Sequence, residues 1–419
     1  MVNAEQKIGI LSVLKQRNYA VYTAGGTISL FGLWAHRLAV YWLAWELTKS
    51  SFWVGMIAIA DLIPTLFLTP FAGVLADLYD RRYLAIFSQI MGMLQAFILG
   101  WMYLAGKLLN HGDIWWLIGW TFFLGLAGAL NTAARLSMVP NLVEHQFIPP
   151  AVALSSAIYN LARVVGPVVG AFIIETWNVG VAFLFNAVTF TFFITSLCIV
   201  RSVRSEEKPR KGISFFAQSM DGLKYACQHK GIGPALILLT AMALGGKSLL
   251  ELLPEFADKI FNRGAAGLGE LTAVSGLGGL IAAIYLARRG HVRGLTKLTI
   301  LALLVSGGGI FSFVSTSWYP LAIFSIFILG MAGIYGGTAT QTLMQHSVDG
   351  VMRGRVMALY GVIHRGAPAL GAFFMGVAAE LVGIRIAVAC GGIICLSAYF
   401  WMLRRSNSVA AALEGYKKY

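Results

Sequence analysis

Charge is scarce in this chain. Only 12% of its 419 residues are Asp, Glu, Lys or Arg, and 58% are apolar, whereas a soluble domain carries roughly 25% charged residues. That shortage excludes an ordinary water-soluble globule and points to a polytopic membrane protein. Cysteine is sparse too. Cys198, Cys227, Cys390 and Cys395 form no CxxC, and no His cluster accompanies them, so neither a structural metal site nor a disulfide framework is expected. Nucleophile elbow, zinc motif and dinucleotide fingerprint are all lacking. Gly246-Lys247-Ser248 mimics the end of a phosphate loop, but position 241 is Ala rather than Gly and the segment lies in an apolar run, so ATP hydrolysis is not supported. The expectation is a protein that is not an enzyme and needs no catalytic residue, metal or cofactor. The first residues hold Lys7, Lys15 and Arg17 without a small-residue cleavage site, and the apolar run that follows is too long for a signal-peptide core, so no cleaved signal is expected. The net charge of +14 suggests nucleic acid at first sight. Its placement argues otherwise, because the cations sit in short loops and not on a stripe with interleaved aromatics.

What the chain has is long apolar runs. A membrane helix needs about 20 mostly apolar residues. Roughly twelve runs qualify, near 19–45, 52–75, 83–105, 114–134, 150–175, 178–200, 231–256, 266–287, 295–314, 318–341, 356–381 and 384–403, by that length rule. The longest polar interruption, Arg201 to Lys230, separates six runs from six. Most of the 32 Lys and Arg fall in loops on the side of the N-terminus, and only Lys49, Lys107, Lys259, Arg263 and Arg385 fall in loops on the other. The positive-inside rule then puts both termini in the cytoplasm. Trp45, Trp53, Trp101, Trp115, Trp116, Trp177 and Trp318 fall near the opposite interface, as an aromatic belt does.

The halves echo each other. Pro167-Val168-Val169-Gly170-Ala171-Phe172 in the fifth run matches Pro368-Ala369-Leu370-Gly371-Ala372-Phe373 in the eleventh, about half the chain later, and Arg163 and Arg365 precede them. Gly166, Pro167 and Gly170, with Pro368 and Gly371, read as helix-packing motifs. Six plus six spans with a parallel repeat is the arrangement of a facilitator-type transporter, with substrate bound between the halves near the midplane. The expected fold is an all-α membrane protein of 12 transmembrane helices in two pseudo-symmetric six-helix bundles. The domains are 1–200, a cytoplasmic linker over 201–230, a second bundle over 231–403, and a tail over 404–419. Within the linker, Ile213, Phe216, Met220, Leu223 and Cys227 recur at helical spacing, which predicts an amphipathic helix on the inner surface.

Between the second and third runs lies Gly73-Val74-Leu75-Ala76-Asp77-Leu78-Tyr79-Asp80-Arg81-Arg82. This segment resembles the signature loop of the major facilitator superfamily, Gly-x-Leu-x-Asp-Arg-x-Gly-Arg-Arg, at Gly73, Leu75, Asp77, Arg81 and Arg82. It departs at Leu78, where Arg is usual, and at Asp80, where Gly is usual. The Asp-Arg-Arg ending is similar to the bacterial efflux branch that includes the enterobactin and macrolide exporters. So are Leu33-Trp34-Ala35-His36-Arg37, Asn160 to Pro167, Asp221-Gly222-Leu223-Lys224-Tyr225 and Arg353-Gly354-Arg355-Val356-Met357, so the resemblance covers both halves. The matching loop of the second half, Ala287 to Arg293, keeps positive charge but has no Asp. Antiporters of the superfamily often carry Gly-Pro-x-x-Gly-Gly in span 5, and here Ala171 replaces the last Gly. The resemblance implies a gating loop of Gly73, Asp77, Asp80, Arg81 and Arg82, in which Asp77 latches onto the start of span 11, near the helix N-terminus that stabilises a carboxylate. Arg81 and Arg82 either hold an Asp or only fix topology.

Charges inside spans are costly and usually face a cavity or a partner. Arg37 and His36 lie in span 1, Asp61 in span 2 three residues before Pro64, Arg163 and Arg365 in spans 5 and 11, and Lys247 and Glu251 in span 7. Lys247 and Glu251, four apart on a helix, share a face and neutralise each other or serve a site. Asp61 either bonds backbone groups freed by Pro64 or carries a proton. Arg37, Arg163 and Arg365 either bond neighbouring carbonyls or line an electropositive substrate cavity suited to an anionic or catecholate-like molecule. Proton coupling needs a group that loads and unloads, and Asp61, Glu251 and His36 are the candidates. The expected function is secondary active, proton-coupled export of a small amphipathic molecule, drug or siderophore-like, across the bacterial inner membrane, by a monomer whose partners are substrate, protons and lipid. The alternatives are a metal or metabolite transporter, uptake included, and a non-transporting sensor or scaffold.

Overall fold

The computed structural model describes residues 10–200 and 215–415. Every regular element among them is helical. A bilayer offers the backbone no water to bond, so a chain this apolar satisfies its N–H and C=O groups inside helices. In order these are α1 (Arg17–Thr48), α2 (Ser51–Leu78), α3 (Arg81–Leu104), α4 (Ile114–Met138), α5 (Ile148–Thr176), α6 (Val179–Ile199), α7 (Phe215–Gln228), α8 (Ile232–Ala241), α9 (Leu253–Glu255), α10 (Gly264–Arg289), α11 (Leu295–Ser315), α12 (Tyr319–Ser347), α13 (Gly350–Val382), α14 (Ile384–Leu403) and α15 (Ser406–Glu414).

Eleven of the described stretches are both long and apolar enough to cross a membrane, so the protein is a multi-pass membrane protein. α1 has the length, 32 residues, but Arg17, His36, Arg37 and Glu46 interrupt its apolar run. The seventh span differs from the uninterrupted helix expected over 231–256. After α8 the backbone widens to a π-helical turn over Met242–Lys247, tightens to a 3₁₀ turn over Ser248–Glu251, passes through α9, and widens again over Phe256–Ile260. Lys247 and Glu251 are therefore not one α-helical turn apart on a shared face, as the sequence suggested. Pro254, whose nitrogen cannot donate, sits in this stretch, and such irregular turns cluster at functional sites.

The chain forms two compact units. One combines the described residues of Met1–Val40 and Ile63–Arg210, the other those of Tyr41–Leu62 and Lys211–Tyr419. In the first unit Val13, Tyr19, Tyr22, Leu84, Leu130, Met138, Phe193 and Leu197 belong to one buried core. Tyr22 meets Phe193 edge-on at 5.3 Å, and the Tyr19 hydroxyl donates to Ala151 O at 2.7 Å. In the second unit α11 packs between α12 and α14, and α10 lies along α12. Its C-terminal helix α15 is tied in by Glu414, whose two carboxylate oxygens accept from the Gly294 and Thr296 N–H groups at the start of α11. A carboxylate there satisfies otherwise orphaned donors.

A helix, α7, occupies most of the segment where the linker's amphipathic helix was expected. Gly222 and Ala226 are buried, while Leu223 and Cys227 are exposed. Gly222 lies against the backbone and Cβ of Arg355, whose Nη1 bonds Asp221 at 3.0 Å, and the Tyr225 hydroxyl bonds Asp349 at 3.2 Å. α7 thus clamps the first turn of α13. Residues 201–214 of the expected linker lie outside the described residues.

Candidate functional site

The tip joining α1 to α2, within Tyr41–Leu62, is seated on the seventh span and α13. Trp45 was expected in the aromatic belt. It is instead 0% exposed, because its Nε1 donates to Asp258 at 2.9 Å while Lys259 and Lys49 stand 4.7 and 5.6 Å from its ring centroid. Trp101, Trp115, Trp116, Trp177 and Trp318 are exposed. Lys49 bonds Asp258 at 2.8 Å, Lys259 bonds Glu255 at 3.1 Å, Ser51 donates to Glu255, and Ser50 donates to Glu380 at 2.6 Å. Burial raises the Asp258 carboxyl, but hydrogen bonds from Lys49 and Trp45 and the nearby ammonium charges outweigh it and hold the group below the usual carboxylate range. Beneath this polar clasp, α2 and α13 run side by side with almost no room between backbones. A Cβ on Gly55 would lie 2.8 Å from Ala372 O, and one on Gly376 would lie 2.5 Å from Ser51 O. Close crossing through small residues is how membrane helices associate without a hydrophobic drive.

Deeper in the second unit, the π turn turns Lys247 toward α13. Its Nζ lies 3.3 and 3.4 Å from the ring nitrogens of His364. The Tyr360 ring stacks on His364 at 5.2 Å, and its hydroxyl is 3.1 Å from Nδ1 while donating to Gly337 O on α12 at 3.2 Å. Both Lys247 and His364 are part-exposed, whereas Tyr360 is buried.

The two repeat segments pack alike. On α5, Gly166 rests on Trp34 and Phe31 of α1, and Gly170 lies 2.9 Å (as a Cβ) from the Ala35 backbone. On α13, Gly371 rests on Leu244 and Ser248, and the Ser248 hydroxyl donates to Pro368 O at 2.9 Å. Each half's Pro-x-x-Gly segment is pressed onto that half's first span. A family model described as transmembrane secretion effector matches residues 8–414. The chain belongs to the transmembrane secretion effector family of the major facilitator superfamily. Among curated relatives, the chain is similar to the staphyloferrin A transporter of Staphylococcus aureus, 23% identical, with 89% of this chain and 93% of the relative covered. It is also similar to the macrolide efflux protein A of Streptococcus pyogenes, 22% identical, with 88% and 91% covered. Among solved structures, a peptide transporter named POT has the same fold, with a TM-score of 0.74 at 11% identity over 95% of this chain and 96% of that one. Membership makes the protein a membrane transporter rather than an enzyme.

The residues singled out in the sequence fall in several places. In the signature loop, Asp80 is the N-cap of α3 and accepts from the Arg82 N–H at 2.8 Å, while the Arg82 guanidinium donates to Cys198 O at 2.5 Å, at the end of α6. A cation on the last carbonyls of a helix is favoured by its dipole. Arg81 begins α3. Gly73 and Asp77 lie in the last turns of α2, but their side chains are outside the described residues. Arg37 stands 5.8 Å from the Trp34 ring, which meets Tyr159 at 5.9 Å, so Arg37 and Arg163, one turn beyond Tyr159, share the α1–α5 seam. Arg365 is exposed. Leu62 of α2 packs on Gly366, which sets the turn holding Asp61 beside the turn holding Arg365. Glu251 ends the 3₁₀ turn. His36 is 1% exposed, tilted against Phe183 at 5.0 Å, and neither of its ring nitrogens has a partner among the described residues. Asp61 and Glu251 belong to one compact unit and His36 to the other.

Sequence reasoning missed His364 and Tyr360. The available signal was that Lys247 and His364 each carry a polar nitrogen in an otherwise apolar span of the same half. It also missed Glu255, Asp258 and Glu380 as partners of the α1–α2 tip.

Proposed function

We propose that this protein is a secondary active transporter of the bacterial inner membrane, exporting a small amphipathic molecule by alternating access of two six-helix bundles, with protons as the coupling ion, both termini in the cytoplasm, and α1 as the twelfth span. The observation that carries the reading is the clasp at the α1–α2 tip. It joins the ends of spans 1 and 2 to the ends of spans 7 and 11. Exposed ion pairs contribute only about 0–1 kcal/mol each, so such a closure holds and opens at modest cost, as rocking about a central site requires. The similarity to the staphyloferrin A transporter and macrolide efflux protein A supports an organic cargo, and no group of three or more metal-ligating side chains occurs among the described residues. Arg37, Arg163 and Arg365 are proposed to line the cavity, Asp61, Glu251 and His36 to be the proton-binding candidates, and Asp77 to latch the cytoplasmic side.

The test is flux into proteoliposomes with and without a pH gradient. An imposed gradient should drive substrate movement and its collapse should abolish it, and Asp77→Asn should insert normally yet lose transport. Gradient-independent flux removes the coupling, and a fully active Asp77→Asn removes the latch.

A further inference from the structure

Between Glu270 and Asp349 the sequence holds no Asp or Glu. The turn from α10 to α11 therefore has no carboxylate of its own, whereas the turn from α2 to α3 carries Asp80. The helices that follow are of the same rank, each the third long apolar stretch of its half. A helix start leaves N–H groups without an intrahelical partner. At α3 the N-cap Asp80 takes the N–H of Arg82, the second residue of the helix. At α11 the N-cap is Gly294, at φ +80° and with no side chain to offer. The corresponding N–H, that of Thr296, goes to Glu414 Oε1 at 2.7 Å, and the N–H of Gly294 goes to Oε2 at 2.5 Å. The same donor is satisfied in both halves, once from the adjoining residue and once from 118 residues away.

Glu414 is badly placed for its own helix. It ends α15, where the helix dipole favours a cation, but it stands at the start of α11, where the dipole favours an anion. α15 has nine residues, and isolated helices shorter than roughly 12–15 residues are marginal in water. Its docking therefore sustains it. Val409 and Leu413, one turn apart, are buried, and α15 lies against α11 and α12. Leu413 also covers Gly231, the N-cap of α8, where a Cβ would lie 2.7 Å from Leu413 Cδ2.

We propose that α15 is a strap across the second unit and that Glu414 replaces the carboxylate missing from the turn between α10 and α11. The strap docks and leaves as one piece with the starts of α8 and α11. The counterpart of the signature loop is thus held through α15 and not through its own sequence. This concerns the second unit alone and stands whatever the cargo.

The test is amide hydrogen exchange of the purified full-length protein. Glu414→Ala should speed exchange at Thr296 by about tenfold or more, as loss of a hydrogen bond to a charged group implies, and leave Arg82 unmoved. Asp80→Ala should do the reverse. Leu413 bonds neither Gly294 nor Thr296, yet Leu413→Ala should speed Thr296 and Ala235, in the first turn of α8, together, because a cooperative unit opens as a whole. Glu414→Gln keeps one acceptor oxygen and should fall between wild type and Glu414→Ala, and it decides the matter if the alanine variant does not fold. Wild-type exchange at Thr296 in either Glu414 variant overturns the cap. Wild-type exchange at Thr296 in Leu413→Ala overturns the strap, and an equal rise at Arg82 in the Glu414 variants marks general loosening and overturns both.

Discussion

α5 and α13 carry the same Pro-x-x-Gly-Ala-Phe segment and press it onto the first span of their own half, yet what they meet differs. α5 meets α1, an unbroken helix, through Trp34 and Ala35. α13 meets Leu244 and Ser248, where the backbone changes from π to 3₁₀. Beside the packed glycines of the first half stands His36, sealed from solvent against Phe183. In the second half stands Lys247, part-exposed and bonded across to His364. A repeat keeps its packing positions because close backbone approach tolerates only the smallest residues. The polar groups next to them are free to diverge, one half burying its nitrogen and the other leaving it accessible.

The severest way to test that equivalence is to fill the contact on both sides. A valine at Gly371 would collide with the Ser248 hydroxyl and Leu244 O, and one at Gly170 with the Ala35 backbone. Overpacking typically costs about 1–3 kcal/mol, so Gly371→Val and Gly170→Val should each lower the melting temperature by several degrees, followed by tryptophan fluorescence. If either is silent, the two segments are not packing equivalents. A smaller effect of opposite sign is expected at His36. Removing a buried polar group that lacks a partner relieves a desolvation cost of about 1–3 kcal/mol, so His36→Leu should melt at the same or a higher temperature. A marked loss of stability would mean that the histidine is satisfied in the native protein and that the halves are less different than they look.

The comparison also runs along α1 itself, since beyond Val40 the helix leaves the sealed unit and Trp45 joins the clasp. Trp45→Phe deletes one hydrogen bond to a carboxylate and should cost about 1 kcal/mol near neutral pH. Because the Asp258 carboxyl is held below its ordinary value, the stabilisation is complete above about pH 4 and fades as pH falls through the lowered value. The gap in melting temperature between wild type and Trp45→Phe should therefore narrow in acid. A gap that widens there would show that the ionised carboxylate is not the acceptor.

The apolar runs, the repeat and the signature loop were legible because each is a local pattern: length, spacing and residue type are enough. The candidate site was legible only in fragments. Lys247 stood out as a charge in a span, but its partner lies 117 residues away, and a single histidine in an apolar run reads as a packed side chain. Lys49 and Asp258 each look like ordinary loop charges, and nothing in either neighbourhood announces the other across 209 residues. Trp45 was misplaced for the same reason, since a tryptophan at a span end suits lipid until a carboxylate from a distant loop claims its N–H. The broken seventh span left a faint trace in Gly245-Gly246 and Pro254 that helical periodicity overrides.

The α1–α2 tip has a consequence for biosynthesis. Ser50 reaches Glu380 across 330 residues, and Gly55 rests on the backbone of Ala372 and Phe373. The α1–α2 hairpin therefore leaves the ribosome well before the residues it binds. Through most of translation its Ser, Lys and Trp donors wait without the carboxylates they are matched to, and loop closure over such a distance is slow. Until α13 is made, the donors of this hairpin have to be kept from pairing with something else.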